Sequence, residues 1–366
     1  MLHLLSAALP GSLAIASTLL LPLPTDGVTL KTDYEALQIL RVERSTSFSL
    51  ETVALELKVN GEPMDRPGGP GLGGATTTMK SVVLNDYKTT SEGIPTHIVR
   101  TFEELGGSIE TADGEQDLPA NPAQPEAGLK IDIQVDDEGE QAITVVEGDA
   151  PENEKFMKKQ AMVLALDVLL PADAVEVDAT WELDADAVRK ALGQVMPARA
   201  PRPEGQGRRR RGDDRFPQDG PPQGRRGRSR GNAAIGQFLK EAEWVGEAKL
   251  TSLEIEHEGE MCALIEVKFE ASGELPERQF GGGRARRERS ASSPILPIAL
   301  EGEAEVELKG KLYFSIEGKH PVAFELQGKL SASETTVRDR GERSMSMYQE
   351  QEGEISLTYA FGSEER

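Results

Sequence analysis

From Ala299 to Ile316 apolar and polar residues alternate almost without a break. Leu300, Ala304, Val306, Leu308, Leu312, Phe314 and Ile316 hold the even positions together with Gly302 and Gly310, while Glu301, Glu303, Glu305, Glu307, Lys309, Lys311 and Ser315 hold the odd ones. A side-chain period of two belongs to the β-strand, because successive Cβ atoms leave a pleated chain on opposite sides. After Glu317-Gly318-Lys319-His320-Pro321 the parity resumes, with Val322, Phe324, Leu326, Gly328 and Leu330 facing one way and Glu325, Gln327 and Lys329 the other. Two long antiparallel strands with one buried and one wet face satisfy this pattern.

The same signal recurs along the chain. Leu37 to Val59 reads as strand, with Phe48 and Leu50 on one parity and Val53, Leu55, Leu57 and Val59 on the other, a switch that predicts a β-bulge. Thr76 to Tyr87 and Thr96 to Leu105 read as further strands, and 106–127, acidic with three prolines, as a long exposed connection. Leu129 to Val135 and Ala142 to Val146 form a hairpin around Asp136-Asp137-Glu138-Gly139. Trp244 to His257 and Met261 to Ser272 form another, and Ile355, Leu357, Tyr359 and Phe361 make a closing strand after a charged loop at 337–345.

Helices are few. Residues 153–170 carry Phe156, Met157, Ala161, Val163, Leu164, Val168 and Leu169 at roughly helical spacing before Pro171. A second helix at 184–195 has Asp184 as its cap and Ala187, Val188, Ala191, Leu192 and Val195 as its stripe, preceded by a short strand containing Trp181. The expected fold class is therefore mainly β with a few helices (α+β), its long antiparallel meander strands forming one or two curved sheets or half-barrels.

Length and composition shifts divide the chain. At 366 residues it is long enough for two ordinary domains, read as a β-rich unit over 28–196 and an antiparallel β unit over 233–362 with a flexible loop at 276–297. Between them, residues 197–232 hold eleven arginines against four acids among glycine and proline, a net +7 that leaves −29 on the rest of a chain whose total is −22. With hardly an apolar side chain besides Phe216, this linker cannot offset its ordering entropy and is expected to be disordered. Residues 1–24 are apolar, with no acid before Asp26 and no Lys or Arg. They read as an export signal with Ala14 and Ala16 at a cleavage site, although Pro10-Gly11 interrupts the apolar stretch, and a retained anchor is the alternative. The expected location is thus periplasm, cell envelope or medium.

The strong negative charge argues against nucleic acid or an anionic membrane surface as the main partner of the body. One cysteine, Cys262, allows no internal disulfide and reads as a small buried hydrophobe. Gly69-Pro70-Gly71-Leu72-Gly73-Gly74 matches a dinucleotide fingerprint as a string, but a strand rather than a helix follows it, so it reads as a loop. Asp132, Asp136, Asp137, Glu138 and Glu140 lack calcium-loop spacing and read as a solvated turn. His97, His257 and His320 stand apart from one another, and no G-x-S-x-G elbow occurs. No catalytic residue, cofactor or metal site is assigned, and the chain is expected not to be an enzyme.

Two surfaces remain as candidates. Leu308, Leu312, Phe314, Phe324, Leu326 and Tyr359 share one face of the long strands and could line a ligand cavity, though core packing accounts for them equally. Arg208, Arg209, Arg210, Arg211, Arg225 and Arg226 could capture a polyanion, since the guanidinium fork pairs bidentately with phosphate or carboxylate, while attraction to the acidic body is the plainer reading.

The apolar start, the hairpin Gly310 to Gly318 and the Gly/Arg-rich insertions resemble exported bacterial β-rich proteins of uncharacterised families. The likeness is architectural and transfers no site residue. Within such company, a sheet curved around a helix is similar to lipoprotein carriers that hold acyl chains. The leading expectation is a non-catalytic exported or envelope-associated protein of structural or interaction type. Binding of a lipid or other apolar ligand in the curved sheet is the alternative, and polyanion capture by the linker a lesser one; the partners implied are envelope components or an apolar ligand.

Overall fold

The computed structural model describes residues 27–35, 38–64, 74–112, 114–118, 126–136, 138–151, 156–157, 160–193, 231–276, 299–340 and 343–364. The apolar segment at 1–24, expected as an export signal, nearly all of the arginine-rich stretch at 197–232 and of the loop at 276–297, and the six linker arginines lie outside them.

The chain is mainly β. Its strands are β1 (Ile39–Val59), β2 (Glu62–Pro63), β3 (Ala75–Ser91), β4 (Ile94–Thr111), β5 (Gly114–Asp117), β6 (Lys130–Val135), β7 (Gln141–Glu147), β8 (Thr180–Leu183), β9 (Val245–His257), β10 (Glu260–Glu274), β11 (Ala299–Ser315), β12 (His320–Arg340) and β13 (Arg343–Glu364). All belong to one antiparallel sheet of 13 strands, ordered β7-β6-β4-β3-β1-β13-β12-β11-β10-β9-β8, with β2 on β1 and β5 on β4 off the path. The sheet is not closed. Its two halves are joined in its middle, where β1 pairs β13 from Ile39↔Glu364 to Val59↔Met345. A single apolar cluster runs through both halves.

Register follows the hydrophobic pattern. The parity switch in β1 is a bulge between Thr52 and Ala54, after which Leu55, Leu57 and Val59 face the same side as Phe48 and Leu50 did before it. The hairpin turns Glu92-Gly93 and Glu258-Gly259 place two successive residues at positive φ (53° and 74°, 50° and 86°), the conformation that matches strand twist and that glycine tolerates at its second position. Cross-strand rows on the inner face run Leu308, Gly328, Ile355, Phe48 and Leu312, Phe324, Tyr359, Arg44. A Cβ on Gly328 would run into the Glu307 carbonyl group and fall 2.7 Å from Leu308 Cα, so this position has to stay bare for the backbone of β11 beside it.

The inner face is covered from within. A 3-10 turn at Ala165–Leu169, helix α1 (Ala185–Leu192) and helix α2 (Gly231–Glu241) bring Leu166, Leu169, Val188, Ala191, Leu192, Ile235, Phe238 and Leu239 into the core. Helix α1 is capped by Asp184, whose Oδ1 accepts the Ala187 N–H at 2.7 Å. Arg189 ties it to the end of α2 by donating to the Ala242 carbonyl at 3.0 Å.

Four local expectations need correction. The helix over 153–170 is, where described, two helical residues at 156–157 and the 3-10 turn, because Thr32 and Tyr34 tether Asp167 in the turn and its backbone is extended on both flanks. The connection over 106–127 gives way to strand as far as Thr111 and again in β5, since the ladder to β3 continues through Gly106 and Gly107. The charged loop at 337–345 shrinks likewise, with β12 reaching Arg340 and β13 starting at Arg343. Helix α2 was not expected: its apolar set, Ala234, Ile235, Phe238 and Leu239, sits at helical spacing directly after the arginine-rich stretch.

Candidate functional site: the inner face and its polar strap

The residues expected to line an apolar cavity are buried. Leu308, Leu312 and Phe324 are 0 % exposed, Phe314 1 % and Leu326 2 %. Tyr359 is half-buried, its ring 5.9 Å from Phe361 in a stacked arrangement and 6.3 Å from Phe324, with the Arg44 guanidinium 5.5 Å above it. Burial pushes its hydroxyl pKa up, and the neighbouring Arg44 opposes that. Arg44 also reaches the last turn of α1, donating to the Leu192 carbonyl at 3.4 Å.

One end of this face is strapped by 27–35. Asp33 N–H donates to the Lys319 carbonyl (3.0 Å) and Tyr34 N–H to that of Gly93 (3.2 Å), so the segment clips two hairpin turns from opposite halves of the sheet. Lys319 Nζ returns to Asp33 at 2.9 Å, and Val28 bridges Val175 in both directions at 2.8 and 3.0 Å. Beneath the strap lies a polar cluster. The Tyr34 hydroxyl donates to Asp167 Oδ2 at 2.5 Å and accepts the Leu164 N–H at 2.8 Å, while Thr32 donates to Asp167 Oδ1 at 2.7 Å.

Arg100 lies beside it. Its guanidinium donates to Asn85 Oδ1 (2.7 Å), Gln160 Oε1 (2.8 Å) and the Ala161 carbonyl (2.8 Å), all of them neutral acceptors. Burial pulls its pKa down and pushes that of Asp167 up, with the hydroxyl donors to Asp167 opposing. Tyr87, whose ring is 5.0 Å from that of Tyr34, is fully buried, its hydroxyl has no hydrogen-bond partner among the described residues, and burial raises its pKa.

Sequence reading missed this cluster, yet one signal was present. Arg100 occupies the parity of Ile98 and Phe102, both buried, so a charge stood where the alternation called for an apolar side chain. Asp167 likewise interrupts the apolar run around Leu166 and Leu169. Chemically the groups hold segments together: Thr32 and Tyr34 fasten 27–35 to 160–170, and Arg100 fastens 160–161 to the sheet.

Elsewhere the expected polar sites resolve into local structure. Asp136 Oδ1 accepts the N–H groups of Glu138 (3.0 Å) and Glu140 (2.8 Å), a turn stabilised by its own side chain. His97 pairs with Asp132 at 2.9 Å, His257 stacks on Tyr313 at 4.1 Å and His320 bonds the Pro321 carbonyl at 2.9 Å, three separate surroundings. Cys262 is buried and unpaired, as a small hydrophobe would be. Among the described residues no three His, Cys, Asp or Glu side chains gather as a metal site, and no helix is long and apolar enough to cross a membrane.

Beyond the core the same face changes character. Leu55, Leu57, Val59 and Met347 are half-buried and Met345 is 43 % exposed, while Glu334, Thr336 and Gln351 among them are buried.

No family model and no curated protein matches the chain. Among solved structures, similarity extends over 88% of this chain and 25% of a lipovitellin chain solved for its lipid-protein interactions, at 8% identity and a TM-score of 0.33. It extends over 89% of this chain and 97% of the outer membrane protein OprG from Pseudomonas aeruginosa, at 8% identity and a TM-score of 0.18. The chain thus spans a quarter of the lipovitellin chain, and neither likeness assigns a family.

Proposed function

We propose that this chain is a non-catalytic exported or envelope-associated protein of interaction type, in which the sheet serves as scaffold and surface. The observation that carries this reading is the burial of Leu308, Leu312, Phe314, Phe324 and Leu326 in the protein's own core. Side chains already buried against the chain's own segments offer no exposed apolar surface to a ligand over those strands. The polar cluster around Asp167 and Arg100 supports it too, because these two groups are spent on tying 27–35, 160–170 and the sheet together. Export is supported by the charge-free apolar run from Leu4 to Leu23.

A second reading, binding of a lipid or other apolar ligand, is favoured by the far end of the face. There Leu55, Leu57 and Met347 are half-buried and Met345 is exposed, so a ligand would sit on them instead of on the buried leucines. Polyanion capture by Arg208 to Arg211, Arg225 and Arg226 rests on composition alone.

Cell fractionation followed by native mass spectrometry tests these readings. The expected product is a processed chain outside the cytoplasm with the mass of the polypeptide alone. A bound lipid that is lost in Leu57→Glu would establish the second reading, and a cytoplasmic product that keeps Met1 would remove export.

A further inference from the structure

The outer face of β1, β12 and β13 carries mostly serine, threonine, glutamate, glutamine and lysine. At the far end of that face Glu56 and Lys58 of β1, Thr335 of β12, and Ser346 and Tyr348 of β13 line a cavity of about 370 Å³. Register brings them together: Glu56 lies opposite Tyr348, which lies opposite Thr335, and Lys58 lies opposite Ser346 in the adjacent row of the same face. The bulge between Thr52 and Ala54 stands just before Glu56, and a bulge bends its strand and increases the local twist, the kind of distortion that hollows an otherwise level sheet.

The chemistry of the lining is mixed and unspent. Tyr348 is half-buried, and among the described residues its ring makes no ring contact and its hydroxyl no hydrogen bond. Tyr313, also on the outer face, is by contrast stacked on His257 at 4.1 Å. The hydroxyls of Thr335 and Ser346 are likewise without hydrogen bonds among the described residues. Lys58 and Glu56 pair with each other at 3.2 Å while both stay exposed, a contact that holds neither side chain firmly. Their charges cancel, so the cavity favours neither an anion nor a cation. Small-molecule sites are as a rule lined mostly by apolar side chains, and here the tyrosine ring stands among polar groups, so an acyl chain would gain little.

We infer that this cavity binds a neutral sugar ring of a glycan, with Tyr348 as its platform. The C–H groups on a pyranose face carry partial positive charge and match the negative face of an aromatic ring. Sugar hydroxyls both donate and accept, as do those of Tyr348, Thr335 and Ser346, while Lys58 adds donors and Glu56 acceptors. The volume lies at the lower end of the range of small-molecule sites, roughly 300 to 1,000 Å³, which suits the end of a chain or a short stretch of it. A net charge of −22 on the chain disfavours acidic sugars. This inference rests on the interaction-type reading, to which it gives a partner class.

Calorimetric titration of the full-length chain with maltotetraose and chitotetraose, neutral α- and β-linked oligomers, and with tetragalacturonic acid as the acidic counterpart, tests it. With a single aromatic platform, at least one neutral oligomer should bind with a Kd of roughly 0.1 to 1 mM. The acidic oligomer should bind at least about tenfold more weakly. Tyr348→Leu removes the ring and should weaken binding about tenfold or more, whereas Tyr348→Phe should keep most of it. Thr335→Val, an exchange of similar shape on the outer face, should cost a smaller factor of about two to five, and it decides the question should the leucine variant prove unstable. Failure of both neutral oligomers to bind at about 10 mM, equal binding of the acidic one, or binding indifferent to the loss of the Tyr348 ring would each overturn the proposal. An exported chain that binds none of these sugars would keep the interaction-type reading and lose only this partner class.

Discussion

The long central strands pass through two environments on one face. At the strapped end, Leu312, Phe324 and Leu357 are 0 % exposed beneath the chain's own segments. At the far end Leu57 and Met347, on the same face of the same strands, are half-buried. Alternation along a strand states which side a residue faces; what lies over that side is decided by segments far away in sequence. Lys319 and Gly93, for instance, are both held by residues 33 and 34.

Substitutions at the two ends should separate them. Leu308→Ala, at a position with no exposure, should cost about 2 to 5 kcal/mol in chemical denaturation, whereas Leu57→Ala should cost roughly 1 kcal/mol or less. Equal large losses would mean that the far end is covered as tightly as the core.

The strap comes next. Tyr34→Phe removes a hydroxyl that both donates to Asp167 and accepts from Leu164, leaving two groups without their partner, and should cost about 1 to 3 kcal/mol. Hydrogen exchange should then rise at 27–35 and 160–170 and stay unchanged at Leu57.

A smaller effect is the pH dependence of that contact. Burial raises the Asp167 pKa above its ordinary 3.8, so the protonated form is favoured in the folded state. Stability from this group is therefore complete below the ordinary value and lost as pH rises through the folded one. Melting temperatures taken between about pH 4 and 8 should fall less steeply for Asp167→Asn than for the parent. A steeper fall in the variant would contradict the assignment.

The outer face should respond least. Glu51 and Glu352 lie directly opposite one another and exposed on β1 and β13, so Glu352→Lys should stabilise by about 0.2 to 1 kcal/mol and lose that gain in high salt. Glu307→Ala, beside the buried Leu308, should stay within about 0.5 kcal/mol.

Legibility in the sequence divides along the same line. Strand existence, the bulge at Thr52 and the inward side of Leu308 and Phe324 were readable because a period of two is a local signal. The joining of the halves was not, since nothing in β1 or β13 names its partner. The 3-10 turn was read as helix because Leu164, Val168 and Leu169 keep helical spacing, while the bonds that stop a helix come from Thr32 and Tyr34, more than 130 residues away. Of the candidate site, the apolar face was visible as a face and its filling was not. Arg100 showed as a break in alternation, but its acceptors belong to two other segments, β3 and 160–161.

The placement of β1 beside β13 sets an order of events during synthesis. Strands β3 to β7 and β8 to β12 can zip up as meanders from neighbouring sequence, but the seam from Ile39 to Val59 waits for residues 345 to 364 to arrive. Contacts this distant along the chain make folding slow, because loop-closure entropy must be met before pairing is rewarded. Until then the nascent protein carries a bare 21-residue β1 along one side. A chain stopped short of β13 keeps that template open, and aggregation through it is the hazard that completing the C-terminal strand removes.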